Sequence, residues 1–182
     1  MIKAKARKPL LLLLALTLLP TMQAAAATER GEGDDRIWVE VIVDKGKEMV
    51  IGDSAVVTFV VHSALPIAKI ESKPIKNVKN ATFRKVHFDR DATAGSYIFR
   101  GHVINTLVWA QIVVKPGKTG KVTIPECTYN AELYSVRRKD WFGNDIYGKK
   151  VKTKAKSAKT TIEVKEKPTR TTEEMDDCGG VM

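Results

Sequence analysis

Several features are scarce in this sequence, and each shortage closes off a class of protein. Two cysteines among 182 residues exclude a disulfide-dense mini-protein. Twelve glycines without a three-residue period exclude a collagen-like chain, and a hydrophobic fraction of 43% excludes a chain disordered throughout. Beyond the first 27 residues the longest apolar run is 56–61, itself interrupted by Thr58. That is far below the roughly 20 residues a membrane-spanning helix needs. No stretch of a dozen residues carries a convincing helical period. Gly-x-Ser-x-Gly, a phosphate-binding loop, His-Glu-x-x-His and paired catalytic carboxylates are all missing, so an enzyme is the least supported class and the chain is expected to be non-enzymatic. The length suits one domain, or at most two small ones.

The formal net charge of +10 arises from 31 Lys and Arg against 21 Asp and Glu. Four of the basic residues, Lys3, Lys5, Arg7 and Lys8, precede the apolar run 10–19, so +10 less these four leaves +6 for the remainder. A basic start, an apolar run of 10 residues, a break at Pro20 and the small residues 24–27 are the parts of a cleavable signal peptide. The run is too short to persist as a membrane anchor. Residues 1–27 are therefore expected to be removed on export, leaving about 155 residues in the periplasm with no integral membrane segment.

Residues 28–36 show no apolar periodicity and are expected to be a flexible leader, with folding from Ile37. From there alternation and turn signals point to strands. Segment 38–44 is dense in β-branched residues and 49–53 is a short apolar segment closed by Gly52-Asp53. Segment 54–62 has apolar residues on both sides, which suggests a central strand between two layers. Pro66 and Pro74 bracket 67–70, and their missing amide donors fit a strand at a sheet edge or one crossing between sheets. Residues 81–88 alternate without a clean apolar face, and 89–96 is a loop. Two candidates, 97–103 and 107–114, are divided at Asn105-Thr106, and 115–120 is a turn. Strands 121–124, 127–134 and 159–165 complete the pattern. Short, regularly spaced strands predict an all-β antiparallel β-sandwich over residues 37–166.

Residues 137–157 depart from this pattern, with Arg137, Arg138, Lys139, Lys149 and Lys150 interleaved with Trp141, Phe142 and Tyr147. Such a segment is not core material and reads as a long basic and aromatic insertion before the last strand. Two fates compete for Trp141 and Phe142: an interface anchor, or a lid folded back on the end of the sandwich. As partner-binding candidates the segment offers Trp141, Phe142, Tyr147, Arg137, Arg138, Lys149 and Lys150. Export argues against nucleic acid as the ligand and favours an anionic envelope surface or an acidic protein, beside the plainer reading of a solvated linker. The tail 167–182 is polar and acidic and is expected to be disordered.

Other chemistry is thin. Cys127 and Cys178 lack Cys-x-x-Cys spacing, which argues against redox catalysis and leaves a structural bridge open. His62, His87 and His102 show no metal-ligand spacing, so neither a metal nor a cofactor is expected. Residues 89–100 superficially resemble a calcium loop, but Ala94 stands where Gly is required and Arg100 where a bidentate carboxylate should close the site.

Several stretches resemble the N-terminal extracytoplasmic module of the aerotolerance protein BatD, the oxygen-tolerance family. The opening strand Val39-Glu-Val-Ile-Val-Asp44, the turn Val50-Ile-Gly-Asp53 and the strand 56–61 are similar to that family's first two strands. Val113-Val-Lys-Pro-Gly-Lys-Thr-Gly-Lys-Val-Thr-Ile-Pro125 resembles its most recognisable stretch, Asp140-Trp-Phe-Gly143 its aromatic and acidic insertion, and 156–164 its closing strand. The resemblance covers about residues 38–165. It implies an immunoglobulin-like module that acts through protein contacts in the cell envelope, in or beside a membrane-associated assembly with von Willebrand A-type proteins and a MoxR-type ATPase. The alternative from another class is an extracytoplasmic module for an anionic polymer, glycan or lipid headgroup.

Overall fold

The computed structural model describes residues 27–32 and 35–168. The expected signal peptide up to residue 26, Cys178 and the acidic tail from 169 lie outside the described residues. Twelve strands account for most of the rest, and the one helical element among the described residues is a 3-10 turn at Asp91–Thr93. Among the described residues no helix is long and apolar enough to cross a membrane.

The centre of the fold is β4 (Ala55–Ser63), flanked by β2 (Ile37–Val43) and the long β8 (His102–Pro116), all antiparallel. Period-2 alternation sends Ile37, Val39, Val41 and Val43 of β2, and Ala55, Val57, Phe59 and Val61 of β4, to one face, where each is 0% exposed. β1 (Ala27–Arg30) extends this sheet beyond β2, while β6 (Ala81–Val86) and β7 (Gly95–Phe99) pair with opposite ends of β8. Two three-stranded sheets cover the inner face. One has the order β11 (Asp145–Lys156), β10 (Thr128–Lys139), β5 (Ile67–Ser72); the other β3 (Glu48–Val50), β12 (Thr160–Lys165), β9 (Gly120–Ile124). Tyr129, Leu133, Ile124 and Ile162 from these sheets join the same core cluster as Phe59. The result is an all-β, mainly antiparallel, sandwich-like fold, with one parallel ladder between β12 and β3.

Four expectations need correction. The leader begins as a strand: Ala27 to Arg30 pair with Val43 to Glu40, and Glu29 is fixed by Thr160 Oγ1 at 2.8 Å and Lys47 Nζ at 2.6 Å. Backbone pairing to an already formed edge needs no apolar period. Residues 97–114 divide at Arg100-Gly101, not at Asn105; φ values of 50° and 80° there make a two-residue hairpin turn of the primed type. β4 is central, but its second face is not under a second layer, since Val56, Thr58 and Val60 are only half-buried and stand outside the core cluster.

The fourth correction is the largest. The supposed insertion is a ladder: residues 145–156 form a full strand antiparallel to β10. Lys152, Lys154 and Lys156 face solvent while Val151, Thr153 and Ala155 turn inward. Lysines are well placed on such an edge strand, because they oppose pairing with another chain.

The sheets meet at Gly31. Its N–H donates to Val39 O at 2.8 Å, and the next residue, Glu32, accepts from Lys156 N–H at 2.6 Å. A Cβ at Gly31 would overlap the Lys156 carbonyl oxygen, so only glycine permits this approach.

Candidate functional site

The β10–β11 ladder outruns its neighbour. Leu133 is the last β10 residue paired with β5, opposite Ile67, and Tyr134 N–H donates to Pro66 O at 3.0 Å. Only three residues separate the end of β4 at Ser63 from the start of β5 at Ile67. From that corner β10 and β11 continue alone to a turn at residues 140–144.

Asp140 holds the turn together. Its Oδ1 accepts from the N–H groups of Phe142 at 2.9 Å and Asn144 at 2.7 Å, and its Oδ2 accepts from Asn144 Nδ2 at 2.9 Å. Its own N–H donates to Asn144 O at 2.8 Å, and Gly143, with φ at +84°, donates to Asp140 O at 3.1 Å. The Asn144 side chain, followed by these backbone donors, holds the Asp140 carboxyl below the usual carboxylate range. The turn is thus made by polar groups alone. Trp141 is 96% exposed and Phe142 86% exposed, so neither is a lid on the sandwich.

All seven sequence-predicted residues fall on this hairpin. Arg137 and Arg138 lie on β10, Trp141 and Phe142 in the turn, and Tyr147, Lys149 and Lys150 on β11. Two register shifts, between Tyr134 and Val136 and between Val136 and Arg138, mark bulges of the kind that twist a ribbon. The Arg137 stem crosses β11 at Gly148, its Cβ 3.1 Å from where a Gly148 side chain would begin, and Ser135 Oγ donates to Lys149 O at 2.7 Å. Tyr147 packs at 6.5 Å from the Tyr134 ring, over which Lys150 Nζ lies at 5.6 Å. Lys139 stands 3.8 Å from Asp145. Toward the body the lysine row borders a shallow groove of about 650 Å³ whose other wall includes Lys69 and Glu71 of β5.

Sequence reading missed a second exposed arm. Ser63 pairs with Asn105, so β8 residues before 105, with β7, run past the same corner. Ile98 and Val103 sit opposite each other there at 76% and 56% exposure, and Phe99 is half exposed with the Arg100 guanidinium 5.2 Å from its ring. The missed signal was Arg100-Gly101 flanked by Ile98 and Val103, a short apolar hairpin.

At the base of this arm is a stack of aromatic and charged groups. Arg30 lies 4.5 Å over Trp38, Trp38 stacks on His62 at 5.1 Å, and Tyr97 meets His62 edge-on with its hydroxyl 3.3 Å from Nδ1. His62 Nε2 is 3.1 Å from Glu40 Oε2, but out of line for a hydrogen bond. Burial lowers the His62 pKa; Glu40 opposes that effect and Arg30 adds to it. The other histidines are elsewhere: His87 lines a cleft of about 980 Å³ on the open side between β5 and β6, and His102 is exposed opposite Phe99. That cleft is floored by Trp109, whose Nε1 donates to Ser72 Oγ at 2.7 Å and whose ring lies 4.2 Å beneath Arg90. Cys127 also lines it, but burial raises its thiol pKa, the opposite of an activated nucleophile. Asp89 Oδ1 accepts from Asp91 N–H at 3.0 Å, closing a local turn. Among the described residues no three His, Cys, Asp or Glu side chains come together as a metal site.

Comparisons with protein families, with curated proteins and with solved structures find no match to this chain.

Proposed function

We propose that this chain is a non-enzymatic, exported interaction module that engages a partner in the cell envelope through its β10–β11 hairpin. In the fuller form suggested by the sequence resemblance, it is an immunoglobulin-like module of the BatD aerotolerance type working in a membrane-associated assembly with von Willebrand A-type proteins. The observation that carries the reading is the tip: Trp141 and Phe142 stand in solvent on a turn that Asp140 builds without them. Aromatic side chains presented this way are costly in water and are the kind that anchor interfaces. Arg137, Arg138 and Lys149 beside them, with no ion pair to a described residue, favour an acidic partner.

The test is capture from detergent-solubilised envelope by the full chain and by the Trp141→Ala/Phe142→Ala double variant. Defined membrane proteins should be recovered with the first and lost with the second, while thermal stability is unchanged. Equal recovery with both would move the interface off the hairpin. A second reading, binding of an anionic polymer, glycan or lipid headgroup, draws on the lysine row continuing through Lys152 and Lys154. It predicts direct binding to the purified polyanion that weakens steeply with salt.

A further inference from the structure

We infer that the end of the sandwich bearing both hairpins docks on an anionic lipid bilayer, with the two apolar tips entering the lipid interface. The inference rests on the reading of the β10–β11 hairpin as a binding arm, and it names the surface that the arm meets.

Three observations carry it. First, the arms are two, and they leave the same end. The β4–β5 corner fixes the level: Ser63 pairs with Asn105 at the root of one arm, and Pro66 accepts from Tyr134 at the root of the other. At about 3.3 Å per strand residue, the first arm rises roughly 15 Å beyond the corner and the second roughly 20 Å. Second, the largest exposed apolar side chains of the described residues gather on these arms. Trp141, Phe142, Ile98, Phe99 and Val103 are all at least half exposed, and none belongs to the core.

Third, the groups are layered along the taller arm. The aromatic pair is outermost. Arg137, Arg138 and Lys139 follow within four residues on one strand, and Lys149 and Lys150 lie further back on the other. Over residues 135–150 five basic side chains face two acidic ones, and both acids are engaged, Asp140 in the turn and Asp145 near Lys139. A bilayer has the complementary order: an interface that accepts Trp and Phe, and a plane of anionic headgroups outside it that attracts Lys and Arg. Arg100, lying over Phe99 at the shorter tip, has the long stem needed to reach that plane while its neighbours enter. A protein partner would have to offer a separate well-packed pocket to each of the two tips, whereas a lipid interface receives both without one. Two separate convex tips suit a fluid surface better.

The test uses the full chain with vesicles of phosphatidylcholine alone or mixed with phosphatidylglycerol, and brominated lipid as a quencher of tryptophan. Of the three tryptophans, Trp38 is buried and Trp109 lies half-buried beneath Arg90 in the cleft between β5 and β6. The share of quenching lost in Trp141→Phe therefore reports on the tip, and the apolar segment 10–19, which has no tryptophan, adds none. The expected result is a blue shift and quenching with the anionic vesicles, both weakened by high salt. Trp141→Phe should abolish most of the quenching while vesicle binding persists. Trp141→Ala/Phe142→Ala should weaken binding at least about tenfold, and Ile98→Ser/Phe99→Ser by a smaller factor of about three. Circular dichroism should be unchanged in every variant. Quenching no greater in the native chain than in Trp141→Phe overturns the inference. If vesicles fail but a membrane protein is still captured through the hairpin in detergent, the bilayer is wrong and the interaction module stands. If neither binds, both readings fall.

Discussion

The body of the sandwich and its two arms use the same strand chemistry for opposite ends. In β4 every second residue meets a partner from the facing sheets, so Val57, Phe59 and Val61 are fully buried. Past the β4–β5 corner the ladders continue but nothing faces them, and Ile98, Val103, Trp141 and Phe142 remain in water. Backbone pairing is satisfied in both regions; only side-chain burial differs. Sheet formation therefore accounts for the arms' shape but not for their apolar tips. Stability and binding should separate cleanly along this boundary.

The sharpest contrast comes from truncating an aromatic in the body. Phe59 is 0% exposed in the middle of the central strand, and Phe59→Ala should cost about 3–5 kcal/mol through lost transfer energy and a residual cavity. Chemical denaturation would show it as a lower midpoint at unchanged slope. A loss of under 1 kcal/mol would mean that the core is far looser than its burial indicates.

Next is the seam between the sheets. Gly31→Ala places a methyl on the Lys156 carbonyl and forces β1 and β11 apart, at a cost of about 1–3 kcal/mol. Hydrogen exchange should quicken at Gly31 and Lys156, whose N–H groups bond across this corner. Retained protection at both amides would show that the approach of the sheets is not limited by that glycine.

These two sites also differ in how readable they were. The density of β-branched residues in 37–43 and 55–61 marks both as strands, but apolar residues on both sides of 55–61 hid which face turns inward. Residues 145–156 hide their alternation, because lysine dominates the composition and the inward positions are Val151, Thr153 and Ala155, small or polar enough to pass for a linker. β1 carried no side-chain signal at all, since it is held by the β2 backbone and by Glu29. Trp141 and Phe142 were identified from sequence because polar and glycine neighbours leave them nothing to pack on. The β7–β8 tip was missed because its turn falls at Arg100, and a non-glycine residue with positive φ gives little warning.

At the root of the shorter arm, His62 links the two regions through pH. Its pKa is lowered in the fold, chiefly by burial, so the folded state favours the neutral ring. Its contribution to stability is therefore fully present above the unfolded value of about 6.5 and is lost as pH falls through the lower folded value. Melting temperature should drop on acidification across that window, and His62→Gln should flatten the component. A slope unchanged in the variant would assign the acid sensitivity to other groups.

The smallest expected change in stability belongs to the arm's tip. Trp141→Ala/Phe142→Ala removes two of the largest side chains in the protein, yet with 96% and 86% of them exposed there is almost no buried area to lose. Asp140 keeps its bonds to the Phe142 and Asn144 backbone whatever side chain residue 142 carries. The double variant should thus unfold within about 0.5 kcal/mol of the native chain, about a tenth of the upper figure for Phe59→Ala. Solubility should rise, since an exposed apolar pair is removed. A loss above about 2 kcal/mol would mean that the rings fold back onto the sandwich in solution, and the division between a body that stabilises and arms that bind would fail at its most exposed point.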